Sequence, residues 1–549
     1  MPKNWLSRLM GTKVGDSTPG QNHRDSLFNL PLQPPLPEYD GQINRAAVRL
    51  NAKINQAIDN FSVEAAQKQL TEVSEEEWIK RGEQRALVLF HAAAEHVPAY
   101  KDFLQKNTVD PASIRTIEDF EQVPVMDKNN YLRRYSLSEL TWYGQLSTSA
   151  QMISVSSGSS GEPFFWPRGE ILDAETALAH ELVLTSSFDL ANQKTLFLVC
   201  FAMGMYVAGP ITASSVRHLG LKGYPVTLAT PGYSPDDILK IIPKLATEYD
   251  QIVLAGYPPS VKEIIDRGID RGIDWEKIRL RFLLAGEGFN ETWRTYVATL
   301  AGDKSPIKDF VNFYGSADAA VLAFETPTSI VIRRRIAEDN KSRQRIFKEE
   351  RLPSLLQYTP EHKFFEEVDD ELIFTASGGI PLIRYNIHDS GGVLSRKAIE
   401  QIAPELKEYF AELKRESRLW NLPFVYVFGK SDQTVTLYGA NIYPENIKRG
   451  LESEAIRDQV TGKFIMQTAL DEQKDQYLNI DIECSPSTKR TEQLAAQVSQ
   501  SIHEVLITDN SEYRTSYRGT GGKMIPRVKL FAHSDQKFQT SSIKHRWSS

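Results

Sequence analysis

Hydrophobic and polar positions alternate along this chain in two ways, first with helical and later with strand-like spacing. From residue 42 to about 105, apolar residues recur with a helical period, and Gly and Pro are almost absent. Residues 113–140 then predict short helices separated by turns. Three short apolar runs follow at 195–200, 251–255 and 281–285, each with a Gly soon after it and a helical stretch beyond. This order predicts an α/β fold, with a mainly parallel sheet flanked by helices and ligand groups at the strand ends.

The pattern changes near Gly429. A strand, a turn and a second strand between residues 425 and 437 introduce a stretch in which strands and helices alternate as in a small α+β domain. We therefore predict a large domain over residues 41–428 and a small domain over residues 429–549. Residues 1–40 end in a proline-rich stretch and are expected to form a loosely structured extension.

Composition narrows the class of protein. A formal net charge of −7 argues against a nucleic-acid binder. Two cysteines, Cys200 and Cys484, are too few for a disulfide framework and favour a reducing cytoplasm. The uncharged stretch 195–216 is long enough to cross a bilayer. Its Gly, Pro, Ser and Thr content instead favours a buried strand, a glycine turn and a core helix, so we expect no membrane span and no signal peptide.

The segment 154–163, Ser-Val-Ser-Ser-Gly-Ser-Ser-Gly-Glu-Pro, has the chemistry of a loop that holds a polyphosphate. Its hydroxyls can donate to phosphate oxygens, and its glycines allow the backbone N–H groups to turn towards an anion. No Gly-Lys-Ser/Thr closes the segment, so it is not a Walker loop. A flexible surface loop is the alternative. The candidate phosphate-binding residues are Ser156, Ser157, Gly158, Ser159, Ser160 and Gly161.

Further polar segments follow this loop in a fixed order. They are Ala-Gly-Glu at 285–287, Phe-Tyr-Gly-Ser-Ala-Asp at 313–318, Pro-Leu-Ile-Arg-Tyr at 381–385 with His-Asp at 388–389, Gly-Lys-Ser-Asp at 429–432 with Tyr-Gly-Ala-Asn-Ile-Tyr-Pro-Glu at 438–445, and Ile-Lys-His-Arg at 543–546. Together with the Ser/Gly loop, these segments resemble the signature segments of the adenylate-forming superfamily, which includes acyl-CoA synthetases and peptide-synthetase adenylation domains.

Within that superfamily the chain resembles the phenylacetate–CoA ligase branch. The likeness rests on four segments, which are Glu-His-Val-Pro-Ala-Tyr at 95–100, Ser-Ile-Arg-Thr-Ile-Glu-Asp at 113–119, Val-Pro-Val-Met-Asp-Lys at 123–128 and Leu-Ile-Arg-Tyr at 382–385. It runs from about residue 85 to the end of the chain.

The resemblance implies a role for each segment. The Ser/Gly loop would wrap the β- and γ-phosphates of ATP, and Asp318, where the family usually has Glu, would hold Mg²⁺ at the phosphates. Asp389 would accept hydrogen bonds from both ribose hydroxyls. Lys430, also assigned to the adenine and ribose site, stands where the family more often has Arg, so the charge is kept without the bidentate fork. The adenine pocket would be lined by residues at the strand ends, which are Gly286, Glu287, Tyr314, Gly315 and Ser316.

These residues also have ordinary structural interpretations. Asp318 can cap a helix that begins at Ala319. A tyrosine beside a glycine, such as Tyr314, is often a packed aromatic. Asp389 can be a buried carboxylate held by Arg384.

The resemblance further implies that the small domain is mobile. Asp432 would be the hinge about which it turns, and Gly439 would line the path of an incoming thiol. Lys544 would reach the α-phosphate and carboxylate oxygens, where negative charge builds in the transition state. Lys523 is the rival for that role. Alternatively, Asp432 is an ordinary turn residue and Lys544 an ordinary surface lysine.

These assignments predict an ATP-dependent, AMP-forming carboxylate–CoA ligase that uses Mg²⁺, ATP and coenzyme A. An aryl or arylacetic acid such as phenylacetate is the expected substrate, and the run 201–207 would line an apolar pocket unless it only packs in the core. One alternative passes the acyl group to a carrier-protein thiol or an amine. Another is a non-catalytic nucleotide-binding relative, suggested by Asp318, Lys430 and the replacement of the usual basic residue by Phe164. The sequence does not define the oligomeric state.

Overall fold

The computed structural model describes residues 26–146, 152–156, 164–348, 352–416, 419–430, 434–486 and 488–538. Its α-helices are α1 (Arg45–Asn60), α2 (Val63–Glu72), α3 (Glu75–His96), α4 (Pro98–Lys106), α5 (Ile117–Phe120), α6 (Leu137–Leu140), α7 (Glu170–Phe188), α8 (Ala208–Leu221), α9 (Pro235–Leu245), α10 (Pro258–Asp270), α11 (Glu291–Leu300), α12 (Pro327–Glu338), α13 (Asn340–Phe347), α14 (Arg396–Ile402), α15 (Lys407–Arg415), α16 (Pro444–Leu451), α17 (Glu492–Asp509) and α18 (Ser511–Thr520). Short 3₁₀ helices lie at Pro111–Ser113, Leu132–Arg134, Trp142–Gly144, Ala246–Glu248, Trp275–Lys277, Pro404–Leu406, Gly521–Met524 and Gln536–Phe538.

The strands belong to one large sheet and several small ones. They are β1 (Tyr39–Asp40), β2 (Ile43–Asn44), β3 (Met152–Ser156), β4 (Phe164–Arg168), β5 (Thr195–Val199), β6 (Val226–Ala229), β7 (Gln251–Gly256), β8 (Leu280–Ala285), β9 (Phe310–Ser316), β10 (Ala320–Phe324), β11 (Ser354–Gln357), β12 (Lys363–Val368), β13 (Glu371–Ala376), β14 (Leu382–Leu394), β15 (Phe424–Lys430), β16 (Val435–Leu437), β17 (Ala440–Ile442), β18 (Val460–Leu470), β19 (Gln476–Cys484) and β20 (Arg527–Phe531). The large sheet has 11 strands in the order β12-β13-β14-β15-β11-β10-β9-β8-β7-β5-β6.

The predicted α/β class is confirmed, and the parallel strands form one half of the large sheet. Strands β6, β5, β7, β8 and β9 pair in parallel. Alternate residues of β5 enter different apolar clusters, with Phe197 and Val199 on one face and Leu196 and Leu198 on the other. Because helices cover both faces, these strands carry almost continuous apolar runs.

The remaining strands of the large sheet pair antiparallel, from β9 through β10 and β11 to β12. Their connections explain the difference, since short turns rather than helices join several of them. Asp369 and Asp370, between β12 and β13, both have positive φ values, 53° and 62°. Such a two-residue turn joins adjacent antiparallel strands.

The uncharged stretch 195–216 has the predicted form of a strand, a glycine turn and a helix. It contains β5 and most of α8, with Gly204 between them at a φ of 86°. Across the described parts of the chain, none of the helices combines the length and the apolar character needed to cross a membrane.

Residues 26–36 pack against the rest of the chain, which differs from the loose extension expected there. Leu27, Phe28 and Leu30 are buried in the cluster that also contains α7. The Leu27 N–H donates to Oε2 of Glu361 at 3.0 Å, and the Tyr143 hydroxyl donates to the Pro34 carbonyl at 2.9 Å. Residues 1–25 lie outside the described part of the chain.

Residues 434–538, here called the small unit, have an apolar cluster of their own. It contains side chains from β16 to β20 and from α16 to α18. Residues 26–430 are called the large unit. The predicted boundary at 429–432 includes positions outside the described residues, so the two-domain division stays a prediction.

Candidate active site

The carboxyl ends of β5, β6, β7 and β8 meet at one edge of the sheet, where the small unit contacts the large unit. The Tyr206 hydroxyl, beyond β5, lies 3.1 Å from the Thr515 hydroxyl of α18. The Tyr233 hydroxyl, beyond β6, forms a hydrogen bond with Thr520. Tyr257 follows β7 and Glu287 follows β8. In an open α/β sheet this edge is where ligands bind.

Asp389 and Lys430 form an ion pair on neighbouring strands. Asp389 on β14 is buried and pairs in register with Lys430 on β15, and Lys430 Nζ lies 3.0 Å from Oδ1 of Asp389. The Tyr314 hydroxyl, from β9, donates to Oδ2. Arg384 does not hold Asp389, because its guanidinium pairs with Glu366 and donates to the Glu121 and Val123 carbonyls. A positioned carboxylate beside a cation fits the predicted ribose site.

Asp318 lies just beyond β9 and is oriented by Tyr385. The Tyr385 hydroxyl donates to Oδ2 of Asp318 at 2.7 Å. The alternative that Asp318 caps a helix at Ala319 is wrong, because strand β10 begins at Ala320. Burial, and next the Asp318 charge, raise the pKa of Tyr385, so the phenol remains a donor at neutral pH.

One carboxylate at this position fits a magnesium ion. Mg²⁺ commonly takes one or two protein carboxylates, with phosphates and waters as the other ligands. Among the described residues, no group of three or more His, Cys, Asp or Glu side chains could hold a metal alone. Asp318 therefore suits an ion that arrives with a polyphosphate.

The Ser/Gly loop begins at a buried hydroxyl. Ser156 ends β3, and its Oγ accepts a hydrogen bond from Nε1 of Trp166 on β4 at 3.1 Å. The Trp166 ring lies edge-on to Tyr385, with centroids 6.4 Å apart, and the Lys128 ammonium lies 6.0 Å from the Trp166 centroid. The loop start, a cation and the Asp318 site are thus neighbours. The predicted phosphate-binding residues Ser157, Gly158, Ser159, Ser160 and Gly161 lie outside the described residues.

Arg168, the next cation after Phe164 in the sequence, is already engaged. Its side chain is 1% exposed, pairs with Asp173 at 3.2 Å and donates to Ser154 at 2.9 Å. Lys128 is therefore better placed than Arg168 to contact an anion in the loop.

Glu287 contacts the small unit through both carboxylate oxygens. Oε1 accepts the N–H of Gly439, and Oε2 accepts the Gln476 side-chain amide at 2.8 Å. Burial raises the pKa of Glu287 to about 7, although these two hydrogen bonds act to lower it. The predicted adenine-lining residue thus forms a contact between units in this conformation.

Gly286 and Gly439 lie against the same aromatic ring. A Cβ at Gly286 would come within 2.7 Å of Cδ1 of Tyr257, and a Cβ at Gly439 within 2.7 Å of its Cζ. Both glycines have positive φ, 85° and 78°. Gly315 is also confined, because its Cβ would lie 2.5 Å from the Ala320 carbonyl oxygen. Ser316 accepts the Ala319 N–H at 3.2 Å.

Lys523 lies in an ion-pair network at the contact between the units. Its ammonium pairs with Glu263 on α10 and lies 3.2 Å from Oδ2 of Asp475. Lys262, also on α10, lies 2.7 Å from the other oxygen of Asp475. Asp432 and Lys544, the predicted hinge and catalytic lysine, lie outside the described residues.

The run 201–207 is partly core and partly surface. Phe201 is buried with its ring edge-on to Tyr257, 5.1 Å between centroids, whereas Met205 is 47% exposed. Core packing therefore describes Phe201, and the apolar pocket stays a prediction.

Several residues of this edge were not assigned a role from the sequence. Tyr385, Trp166, Tyr257 and Gln476 act through contacts with residues far away along the chain. Two of them had a local signal, because Tyr385 ends the 381–385 segment that carries the resemblance, and Tyr257 follows a buried strand and precedes two prolines.

No protein-family model matches the sequence, and no curated protein sequence matches it. Solved structures do match. A crystal structure of 2-hydroxyisobutyryl-CoA ligase, with 2-HIB-AMP and CoA in the thioesterification state, has a TM-score of 0.57 at 14% identity, covering 88% of this chain and 91% of that chain. The same ligase in the postadenylation state, with R3-HIB-AMP, has a TM-score of 0.50 at 15% identity over the same shares.

At such identity the similarity establishes the fold. The phenylacetate–CoA ligase branch stays a prediction, whereas the resemblance to adenylate-forming enzymes is confirmed at the level of the fold. The chain therefore has the fold of 2-hydroxyisobutyryl-CoA ligase, an adenylate-forming enzyme.

Proposed function

We propose that this protein is an ATP-dependent, AMP-forming carboxylate–CoA ligase. The observation that carries the proposal is the arrangement of Asp389, Lys430 and Tyr314 beside Asp318 and Tyr385, at the end of β9. It supports the proposal because a ribose and a magnesium-bound polyphosphate each need one oriented carboxylate.

In the first half-reaction, a carboxylate oxygen of the acid attacks the α-phosphorus of ATP. A P–O bond to the acid forms, the bond to the β-phosphate breaks, and pyrophosphate leaves. Asp389 orients the ribose, and the Ser/Gly loop that starts at Ser156 binds the leaving phosphates. Asp318 would hold a magnesium ion, which supplies charge neutralisation at the phosphates when bound. Lys544 would stabilise the charge that develops at the reacting oxygens.

In the second half-reaction, the thiol sulfur of coenzyme A attacks the acyl carbonyl carbon, the thiol gives up its proton and AMP leaves. We place the thiol path beside Gly439, which lies at the contact between the units. A small domain of residues 429–549 would turn about Asp432 between the two half-reactions. We assign this structure to the conformation for the second half-reaction. The TM-score supports this, since it is 0.57 to the thioesterification state and 0.50 to the postadenylation state.

For the acid we propose an aryl or arylacetic compound. The strand ends carry the aromatic residues Phe201 and Tyr257, and Met203 packs against the same cluster, so this edge has the apolar character that suits such an acid. Because apolar pockets discriminate poorly between similar acids, we expect turnover of several. The two cysteines are free and buried, which suits a reducing cytoplasm.

The test is pyrophosphate release from ATP over a panel of acids, with and without coenzyme A, and mass analysis of the products. Acid-dependent pyrophosphate with CoA-dependent AMP and acyl-CoA is the expected result. Acid-dependent release of pyrophosphate without formation of acyl-CoA would instead favour a carrier-protein thiol or an amine as the acceptor of the acyl group. No pyrophosphate with any acid would favour a non-catalytic nucleotide-binding protein.

A further inference from the structure

Glu287 and Gln476 together hold the turn at residues 438–439 of the small unit. Glu287 Oε1 accepts the Gly439 N–H, and Gln476 Oε1 accepts the Tyr438 N–H at 2.9 Å. The two side chains join each other through Gln476 Nε2 and Glu287 Oε2, 2.8 Å apart. We call Glu287 and Gln476 the turn clamp. It satisfies two successive backbone donors, which would otherwise be costly to bury.

The shape of the contact is as restrictive as its hydrogen bonds. The ring of Tyr257 lies against both Gly439 of the small unit and Gly286 of the large unit, so neither position has room for a Cβ. Tyr257 precedes Pro258 and Pro259 at the first turn of α10, which limits the backbone there. The 438–439 turn therefore packs closely against the large unit at Tyr257.

This geometry gives Glu287 a role other than lining the adenine pocket. Both of its oxygens accept hydrogen bonds from the small unit, in a structure whose TM-score is higher to the thioesterification state of 2-hydroxyisobutyryl-CoA ligase, 0.57, than to its postadenylation state, 0.50. We propose that the turn clamp positions the 438–439 turn for the thiol-transfer half-reaction, with Glu287 as a positioning residue. The proposal rests on the proposed ligase function and concerns its second step.

The turn clamp depends on which atoms donate and which accept, so it can be tested by exchanging the two side chains, Glu and Gln, between positions 287 and 476. In Glu287→Gln, an amide NH₂ would face the Nε2 donor of Gln476. In Gln476→Glu, two carboxylates would face each other. The double variant Glu287→Gln/Gln476→Glu restores one donor opposite one acceptor and leaves an acceptor for each of the Tyr438 and Gly439 N–H groups.

The kinetic experiment measures the two half-reactions separately, as acid-dependent pyrophosphate exchange and as thioester formation from purified acyl-adenylate. Each single variant should slow thioester formation by about tenfold more than it slows exchange, and the double variant should recover most of that loss. Glu75→Gln is the matched control. Glu75 is also a buried glutamate whose pKa burial raises to about 7 and which accepts a backbone N–H, from Arg396, but it lies within the large unit. It should show no such difference between the half-reactions.

A second measurement is independent of activity. Spin labels on cysteines introduced at the exposed positions Lys277 and Gln493 report the distance between the units, because the native Cys200 and Cys484 are buried. The wild-type protein should give one narrow distance, each single clamp variant a broader distribution, and the double variant a narrow one again. Single variants that match Glu75→Gln in both measurements, or a double variant no better than either single, would overturn the turn clamp. If the wild-type protein forms no adenylate, the proposed ligase function is contradicted. The turn clamp is still tested in that case by the spin-label distances between the units.

Discussion

The hydroxyl of Tyr385 on β14 lies 2.7 Å from Oδ2 of Asp318, just beyond β9. This bond joins two parts of the large sheet that three intervening strands separate in its order. It leaves Oδ1 of Asp318 without a hydrogen bond from any described residue. The carboxylate is therefore oriented, with one oxygen ready for another ligand.

Tyr385→Phe should weaken the use of magnesium–ATP. The ring still packs, but the donor that orients Asp318 is lost, and a hydrogen bond to a charged group contributes about 1.5–3 kcal/mol. We expect the KM for magnesium–ATP to rise about tenfold. A titration of Mg²⁺ at fixed ATP checks this, and unchanged Mg²⁺ dependence would remove Asp318 from the metal site.

Asp389→Asn should lower the affinity for ATP. The variant weakens both the ion pair with Lys430 and the proposed acceptance of ribose hydroxyls, so the dissociation constant measured by calorimetry should rise about tenfold or more. Asp509→Asn is the control, because Asp509 pairs with Arg449 in the small unit. Equal ATP binding by both variants would argue against the ribose site.

Gly439→Ala should impair thioester formation more than adenylate formation. The added Cβ would lie 2.7 Å from Cζ of Tyr257, so the turn could not be seated as it is here. Gly462→Ala is a matched control, since Gly462 has nearly the same φ, 81° against 78°, but has no atom within 4 Å of the added Cβ. Equal effects of the two variants would mean that backbone strain, rather than the contact, causes the loss.

The contact between the units should weaken as the pH rises. Burial raises the pKa of Glu287 to about 7, and we expect an ordinary pKa near 4.5 when the small unit moves away. The state in which the small unit contacts the large unit thus binds the proton more tightly, so its population should fall as the pH rises from about 4.5 to about 7 and stay level above that. Distances between the spin labels at positions 277 and 493, measured at several pH values, check this.

The variant Glu287→Gln should remove this pH step. The titratable groups facing Glu287 are Tyr233, Tyr257 and Tyr438, whose pKa values burial raises above their ordinary value of 10. They do not titrate in the same range. A protonated carboxyl keeps a lone pair on each oxygen, unlike an amide nitrogen, so protonation preserves both hydrogen bonds that Glu287 accepts. If the pH step persists in Glu287→Gln, another titratable group causes it.

Lys544→Ala should reduce acid-dependent pyrophosphate exchange about a hundredfold while ATP still binds. Lys523→Ala should leave exchange within about threefold of wild type, because Glu263 and Asp475 hold Lys523 at the contact between the units. The reverse order of effects would make Lys523 the catalytic lysine.

The sequence predicted the parallel half of the sheet well, because those strands are buried on both faces. The apolar runs at 195–200, 251–255 and 281–285 contain most of β5, β7 and β8. The antiparallel half was less visible, since short turns join several of its strands and a strand such as β12 carries no continuous apolar run. Periodicity alone does not define the direction of a strand.

For the candidate site, the sequence identified the strand-end residues but not their partners. Asp389 and Lys430 were both assigned to the adenine and ribose site, but their ion pair was not predicted. Arg384 was the partner named for Asp389 in the structural alternative, and it pairs with Glu366 instead. Glu287 was assigned to adenine, and its contact with Gln476 depends on tertiary packing that no local pattern contains.

The N-terminal segment at residues 26–36 has a consequence for the timing of synthesis. The Leu27 N–H binds a carboxylate 334 positions later in the chain, at Glu361. At about 5–20 residues per second, the ribosome needs roughly 20 to 70 s to add those residues. Leu27, Phe28 and Leu30 leave the ribosome early and wait that long before this anchor exists, so chaperones can bind them in the interval. The first described residues of the chain are thus among the last to reach their final place.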